Sequence, residues 1–263
     1  MAIKPRVFVT VRNTKRPQRA KSPYIDGCFE MMGVMGSVYI NSQIPSSSGL
    51  GSSAAVTVAT LSAINDEFSQ NKSREEIANM AFEIEKKVQK GRASPTDTTV
   101  SSYGGIVLIS GGSRRRLPPQ NLHLVIGDSF VSHSTARMVE QVGDLKKKHP
   151  EIVDPILDAI EGVSMSAIHH LNNPKELGRY MDMNHALLDA LGVGHPQLSR
   201  LVLASRAAGA FGAKITGAGG GGCMVALCPK QLKIRVANAI ETCEARAIVT
   251  GIDTEGARKE KNV

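Results

Sequence analysis

Val7, Val9 and Val11 alternate with Phe8, Thr10 and Arg12, the two-residue period of a strand with one buried face. The polar stretch 13–23 reads as a loop, and Ser37 to Ile40 as a second short strand. The texture then changes: Ala54 to Ile64 is an apolar, alanine-rich run, which predicts a helix whose small residues allow close packing. Ser73 followed by Glu76 is a capping box, placed ahead of Ile77, Met80, Ala81, Ile84 and Val88 at helical spacing, so a second helix should run to about Lys90–Gly91. A short helix from about Thr96, a break at Gly104–Gly105 and a strand over Ile106 to Ile109 follow.

Further along, His123 to Gly127 reads as a strand and Thr135 to Lys148 as a helix. Ile152, Ile156, Ile160, Val163 and Ala167 form one apolar helical stripe, and Leu177, Met181, Leu188 and Leu191 another. Pro196 fits the first position of a helix over Leu198 to Ala208, before the chain returns to a sheet with KITGAGGGGCMVALC. Met31, Met32 and Met35 read as core filling. Gly111-Gly112-Ser113, with Arg114 to Arg116 and Pro118-Pro119, is the strongest linker or hairpin signal, which predicts two domains, 1–118 and 119–263.

The 263 residues are 41% hydrophobic and 21% charged, values of an ordinary globular chain. No run approaches the eighteen or so apolar residues of a membrane span, and residues 1–30 lack the apolar stretch of a secretory leader, so a cytoplasmic protein is expected. Four cysteines (Cys28, Cys223, Cys228, Cys243) without CxxC spacing predict reduced, buried thiols, not a disulfide framework or a zinc site. The seven histidines show no ligand spacing. The net charge is +8, but residues 1–21 contribute seven basic and no acidic residues, so the remainder is almost neutral. With aromatics at 4% and no tryptophan, a nucleic-acid partner is not expected.

Two glycine-rich segments carry the chemistry. Pro45, Ser46, Ser47, Ser48, Gly49, Leu50, Gly51, Ser52, Ser53, Ala54 and Ala55 lead directly into a predicted helix. Unpaired amides at a helix start, reinforced by its dipole, attract phosphate, and glycines let the main chain approach a bulky anion. Gly49, Gly51 and Ala54 also satisfy the dinucleotide pattern GxGxxA, but Asp66 and Glu67 follow a helical run with no intervening strand, which excludes that reading. The P-loop string and the HRD and DFG elements of protein kinases are absent. Gly217 to Gly222, with Ala218 inserted, places five glycines in six positions between two strands; either something closely approaches the backbone or the crossover is architecturally tight. Asp97, at a helix start in SPTDT, has small hydroxyl neighbours that could hold it ionised. Glu85 lies at the edge of an apolar helical stripe. One carboxylate that holds magnesium and another that takes a hydroxyl proton are what phosphoryl transfer to an alcohol requires; a helix cap for Asp97 and a surface ion pair for Glu85 are the plainer readings.

PSSSGLGSSAA, ASPTDTTVSSYGG and KITGAGGGGCMVAL, in this order and separation, resemble the second motif, the catalytic-aspartate segment and the third motif of the GHMP small-molecule kinases, above all the archaeal branch that acts on mevalonate. The likeness extends to GDSFVSHSTARMV and MDMNHALLDALGV. It implies an α+β fold of two domains, the first like ribosomal protein S5 domain 2 and the second ferredoxin-like. It also implies ATP and Mg2+ as cofactors, phosphate binding by Pro45 to Ala55, magnesium ligation by Ser53 and Glu85, and Asp97 as the base for the 5-hydroxyl of mevalonate. The glycines of 217–222 would close around the nucleotide and substrate end. The resemblance admits a homodimer. The family's first motif, with its glycine-lysine element, has no counterpart here, and Lys4 does not match that lysine. Two alternatives therefore stand beside mevalonate: a sugar, homoserine or phosphomevalonate acceptor, and a nucleotide-binding relic with impaired turnover.

Overall fold

A computed structural model describes residues 1–45, 49–132 and 134–260. The chain forms two compact units, each with its own apolar core. The first holds the residues up to the glycine-serine loop, then Gly51–Pro119, and it regains the chain from Ile252 onward. The second holds Gln120–Gly251, together with Gly49 and Leu50 from the loop.

In the first unit, β1 (Val7–Arg12) pairs antiparallel with β2 (Ser37–Ser42), Val9 opposite Ile40. α1 (Pro23–Met32), α2 (Ser52–Glu67), α3 (Arg74–Val88) and α4 (Thr96–Tyr103) pack with this hairpin. Val11, Phe29, Val58, Leu61, Ile64, Ala81 and Ile84 make their common core. Both halves of the expected capping box form: the Glu76 amide donates to Ser73 Oγ at 3.2 Å, and the Ser73 amide to Glu76 Oε2 at 2.8 Å. β3 (Val107–Ser110) and β4 (Ser113–Arg116) form a hairpin whose turn is Gly111-Gly112, both at positive φ, so that glycine pair is a tight turn and not a linker. The segment after Ile252 is fastened by an ion pair between Arg6 and Asp253 and by the Gly105 amide donating to the Asp253 carbonyl at 2.6 Å.

Helix α1 is not foreseen by the hydrophobic pattern. Its signals are Pro23 in the first turn and Gly33 at the end with φ of 64°. Gly27 interrupts its middle, at a point where a Cβ would come within 3.1 Å of Ile84. Only Met32 of the three nearby methionines fills the core; Met31 and Met35 are 41% and 67% exposed, because Met31 faces away from the helix's buried side and Met35 follows its end.

The second unit is built on an antiparallel sheet in the order β6-β7-β5-β8, comprising β6 (Gly212–Ile215), β7 (Cys223–Leu227), β5 (His123–Asp128) and β8 (Arg246–Gly251). Helices α8 (Pro196–Ala207) and α9 (Lys233–Glu241) cover one face through Leu198, Leu201, Val202, Val236 and Ile240, against Val125, Ala213, Ile215 and Met224. α7 (Pro174–Ala190) lies against the edge strand β6, and α5 (Thr135–Lys148) and α6 (Pro150–His169) pack outside it. The stripe predicted for α6 is only partly buried: Val153 is the deeply buried residue and Ile152 is exposed. α9 and β8 lie beyond the sequence expectation. All four cysteines are buried and free, as expected; burial pushes the Cys28 thiol up to about 12. Among the described residues no helix is long and apolar enough to cross a membrane.

Candidate active site

α2 begins with Gly51 as its N-cap, in the left-handed region at φ of 67°, with no side chain capping the helix and no acidic residue in its first turn. Among the described residues the first-turn amides therefore lack a side-chain acceptor, and their partial positive charge points out of the helix end. Two features favour the glycine. Its φ disfavours a side chain, and a Cβ there would stand 3.1 Å from Cγ of Asp97. Asp97 thus lies against the main chain at the start of α2.

Asp97 is the second residue of α4, whose N-cap is Pro95, so it is not the helix cap. The neighbouring hydroxyls do not hold it either: Ser94 Oγ donates to Thr96 Oγ1 at 3.1 Å, and no hydrogen bond to the Asp97 carboxylate is formed among the described residues. Its surface stays open to solvent, yet the protein packed around it pushes the carboxyl above the ordinary carboxylate range. An open, weakly solvated carboxylate is suited to accept a proton.

One turn into α2, Ser53 Oγ donates to Glu85 Oε1 at 2.6 Å. Glu85, near the end of α3, is only 3% exposed and forms no ion pair with a lysine or arginine among the described residues. It is therefore not a surface salt-bridge partner. Burial is the main cause that raises its pKa; the Ser53 bond opposes the shift and the Asp97 charge adds to it. A buried carboxylate joined to a hydroxyl, with a second carboxylate near enough to repel it, has no lysine or arginine to balance it among the described residues; the nearby positive charge, the Met1 amino group, acts on Asp97. That donor set suits Mg2+, which takes hard oxygen ligands from one or two carboxylates and leaves its other positions to phosphate and water.

Of the expected phosphate-binding residues, Ser46, Ser47 and Ser48 lie outside the described residues. Pro45 precedes them, Gly49 and Leu50 belong with the second unit, and Ser52, Ser53, Ala54 and Ala55 form the first turn of α2 in the first unit. Within the second unit, a Cβ on Gly217 would stand 3.5 Å from the Gly49 carbonyl oxygen, so the second glycine-rich turn lies beside the first loop's glycine.

That turn is architecturally tight as well as open. Gly217, Gly219, Gly220, Gly221 and Gly222 all have positive φ, and a side chain on Gly219 would overlap the Val193 carbonyl. The turn is clamped by its own unit: the Gly220 amide donates to Val193 O and the Gly222 amide to Val131 O, each at 2.8 Å, and Ser129 Oγ donates to Gly222 O at 2.7 Å. The amides of Gly217, Ala218, Gly219 and Gly221 have no acceptor among the described residues. They are free to meet an anion. The clamping groups Ser129, Val131 and Val193 escape sequence reasoning because two of them act through carbonyls, which no side chain reports.

The sequence matches the model of the GHMP kinase N-terminal domain over residues 22–105 and that of the GHMP kinase C-terminal domain over 164–245. The chain belongs to the GHMP kinase family. Within it, the chain is 45% identical to the mevalonate kinase of Thermococcus sibiricus, an alignment that covers 85% of this chain and 68% of that protein. The mevalonate kinase of Pyrococcus abyssi is 43% identical (86% and 69% covered), and that of Methanothermobacter thermautotrophicus 40% (82% and 73%). Among solved structures, L. major mevalonate kinase in complex with R-mevalonate superposes with a TM-score of 0.83 at 24% identity, covering 97% of this chain and 87% of that one. Methanococcus jannaschii mevalonate kinase gives 0.79 at 24% (96% and 90%). Lactococcus lactis galactokinase shares the fold at 0.76 and 17% identity (98% and 88%), so the fold alone does not choose the acceptor.

Proposed function

We propose that this chain transfers the γ-phosphate of ATP to the 5-hydroxyl of (R)-mevalonate, releasing ADP and 5-phosphomevalonate. The observation that carries the reading is the 40–45% identity to archaeal mevalonate kinases across four-fifths or more of the chain. The site chemistry supports it: a carboxylate stands against the first-turn backbone of a helix that can receive phosphate.

The amides at the start of α2 and the residues Pro45 to Ala55 bind the polyphosphate, and within the second unit the open amides of the 217–222 turn, beside Gly49, can receive an anion. Ser53 and Glu85 hold Mg2+, which when bound neutralises charge on the phosphates. Asp97 accepts the proton of the attacking hydroxyl as the new O–P bond forms and the bond between the γ-phosphorus and the β,γ-bridging oxygen breaks. Its raised pKa improves the match to that proton.

A substrate panel with labelled ATP tests the reading. Transfer to mevalonate, with little to galactose, homoserine or phosphomevalonate, is expected. Preferred transfer to any of those three would replace the acceptor, and ATP binding with no transfer to any alcohol would favour a relic. Cytoplasmic location, use of Mg2+ and a homodimeric state belong to the same proposal, and fractionation, metal titration and sedimentation address them in turn.

A further inference from the structure

β6 is the edge strand of the second unit's sheet, with β7 on one side only. It is also the strand that delivers the chain into the 217–222 turn. An edge strand carries unpaired amides, and a turn rich in glycine has no side chains to stiffen it, so something outside the sheet must hold both in place.

Three contacts from α7 and the loop after it do this. At the near end, α7 meets the start of β6 backbone to backbone: a Cβ on Gly212 would overlap the main chain of Gly178, and one on Gly178 would overlap that of Phe211, the residue before β6. One helical turn on, Asp182 Oδ1 accepts the Ala213 amide at 2.8 Å. The same oxygen accepts from Arg206 of α8, Nε at 2.7 Å and Nη2 at 2.6 Å. At the far end, the Val193 carbonyl accepts the Gly220 amide. Of these three, only the middle one depends on a side chain, and it ties two helices and the strand through one carboxylate.

We propose that Asp182 is a positioning residue for nucleotide binding: by holding the Ala213 amide and the Arg206 guanidinium together, it fixes the edge strand and so the height of the glycine turn whose open amides receive phosphate. This deepens the reading above and rests on it. Asp182 and Arg206 keep about a third of their side-chain surface exposed, so their replacement leaves the core intact. Charge-assisted hydrogen bonds are the stronger kind, and loss of this one releases the strand locally and not the fold globally.

The experiment compares the intact chain with Asp182→Ala, Asp182→Asn and Arg206→Met by backbone hydrogen exchange and by steady-state kinetics. In Asp182→Ala, exchange over 213–222 accelerates about tenfold while β5 and β8 keep their protection. The KM for ATP rises about tenfold, and the KM for mevalonate stays within about twofold. Asp182→Asn, which can still accept from Ala213, recovers part of both effects, and Arg206→Met is milder than Asp182→Ala. Unchanged exchange over 213–222 in Asp182→Ala, or equal increases in both KM values, overturns the proposal. If the unmodified chain binds no ATP by calorimetry, the functional reading fails separately, and the exchange data still decide whether Asp182 holds the turn.

Discussion

Gly51 and Asp97, 46 positions apart, stand so close that a single Cβ on the glycine would come within 3.1 Å of the carboxylate carbon. The start of α2 and the start of α4 are thereby brought to one point of the first unit. A helix end and a carboxylate beside it follow from that one approach.

Asp97→Asn removes the proposed proton acceptor while keeping size and shape. Turnover is expected to fall by about 10^3-fold or more, with ATP affinity within a factor of about three of the unaltered chain. Single-turnover kinetics and calorimetry measure the two quantities. Full turnover would remove Asp97 from the chemistry.

The raised pKa of Asp97 also sets the pH response. A base must be deprotonated to act, so a carboxyl pushed up by burial loses activity at a higher pH than an ordinary aspartate of about 4. The acid limb of kcat/KM should therefore lie above that value. An acid limb at or below it contradicts the environment described for this residue.

Gly51→Ala forces a side chain into a left-handed backbone position and against Asp97. A stability loss of about 1–3 kcal/mol is expected, with a far larger fractional loss of turnover, since the carboxylate is displaced. Denaturant melts together with kcat give the comparison. An alanine variant of normal stability and normal kcat would mean that the contact is dispensable.

Glu85→Gln keeps an acceptor for Ser53 and removes the charge. Folding raises the pKa of Glu85, so the native state favours its protonated form; this contribution is fully present below the unfolded pKa and is lost as pH rises through the folded one. Without metal, the glutamine variant should melt above the parent at pH 8 and close to it near pH 4. Added Mg2+ with nucleotide should stabilise the parent more than the variant, because a bound cation supplies the charge that Glu85 lacks. A variant that melts lower at pH 8 and responds equally to Mg2+ would count against a cation site at Glu85.

Several elements were legible because their signals are local. The capping box of Ser73 and Glu76 forms as read, the Gly111-Gly112 pair makes its hairpin turn, and Pro196 starts α8. α1 was illegible because Gly27 breaks the propensity of its middle, and its stability comes from Ile25, Cys28, Phe29 and Met32 meeting the core. The hydroxyls around Asp97 were expected to hold its charge; instead Ser94 bonds to Thr96 and Thr98 to the Pro95 carbonyl, a choice made by side-chain geometry that composition does not contain.

By itself the amino-acid sequence determined the order of helices and strands with strong end signals, the two glycine-rich segments and the family they place the chain in. Those are properties of residues within a few positions of one another, where spacing and backbone preference act directly. Tertiary structure alone decided that Ser53 bonds Glu85, that Gly51 admits Asp97, and that Asp182 grips the edge of β6. Those pairs lie 32, 46 and 31 positions apart, and no local preference acts over such separations. They meet because α3 and α4 pack on α2, and α7 on β6, each burying apolar surface that fixes the polar groups beside it.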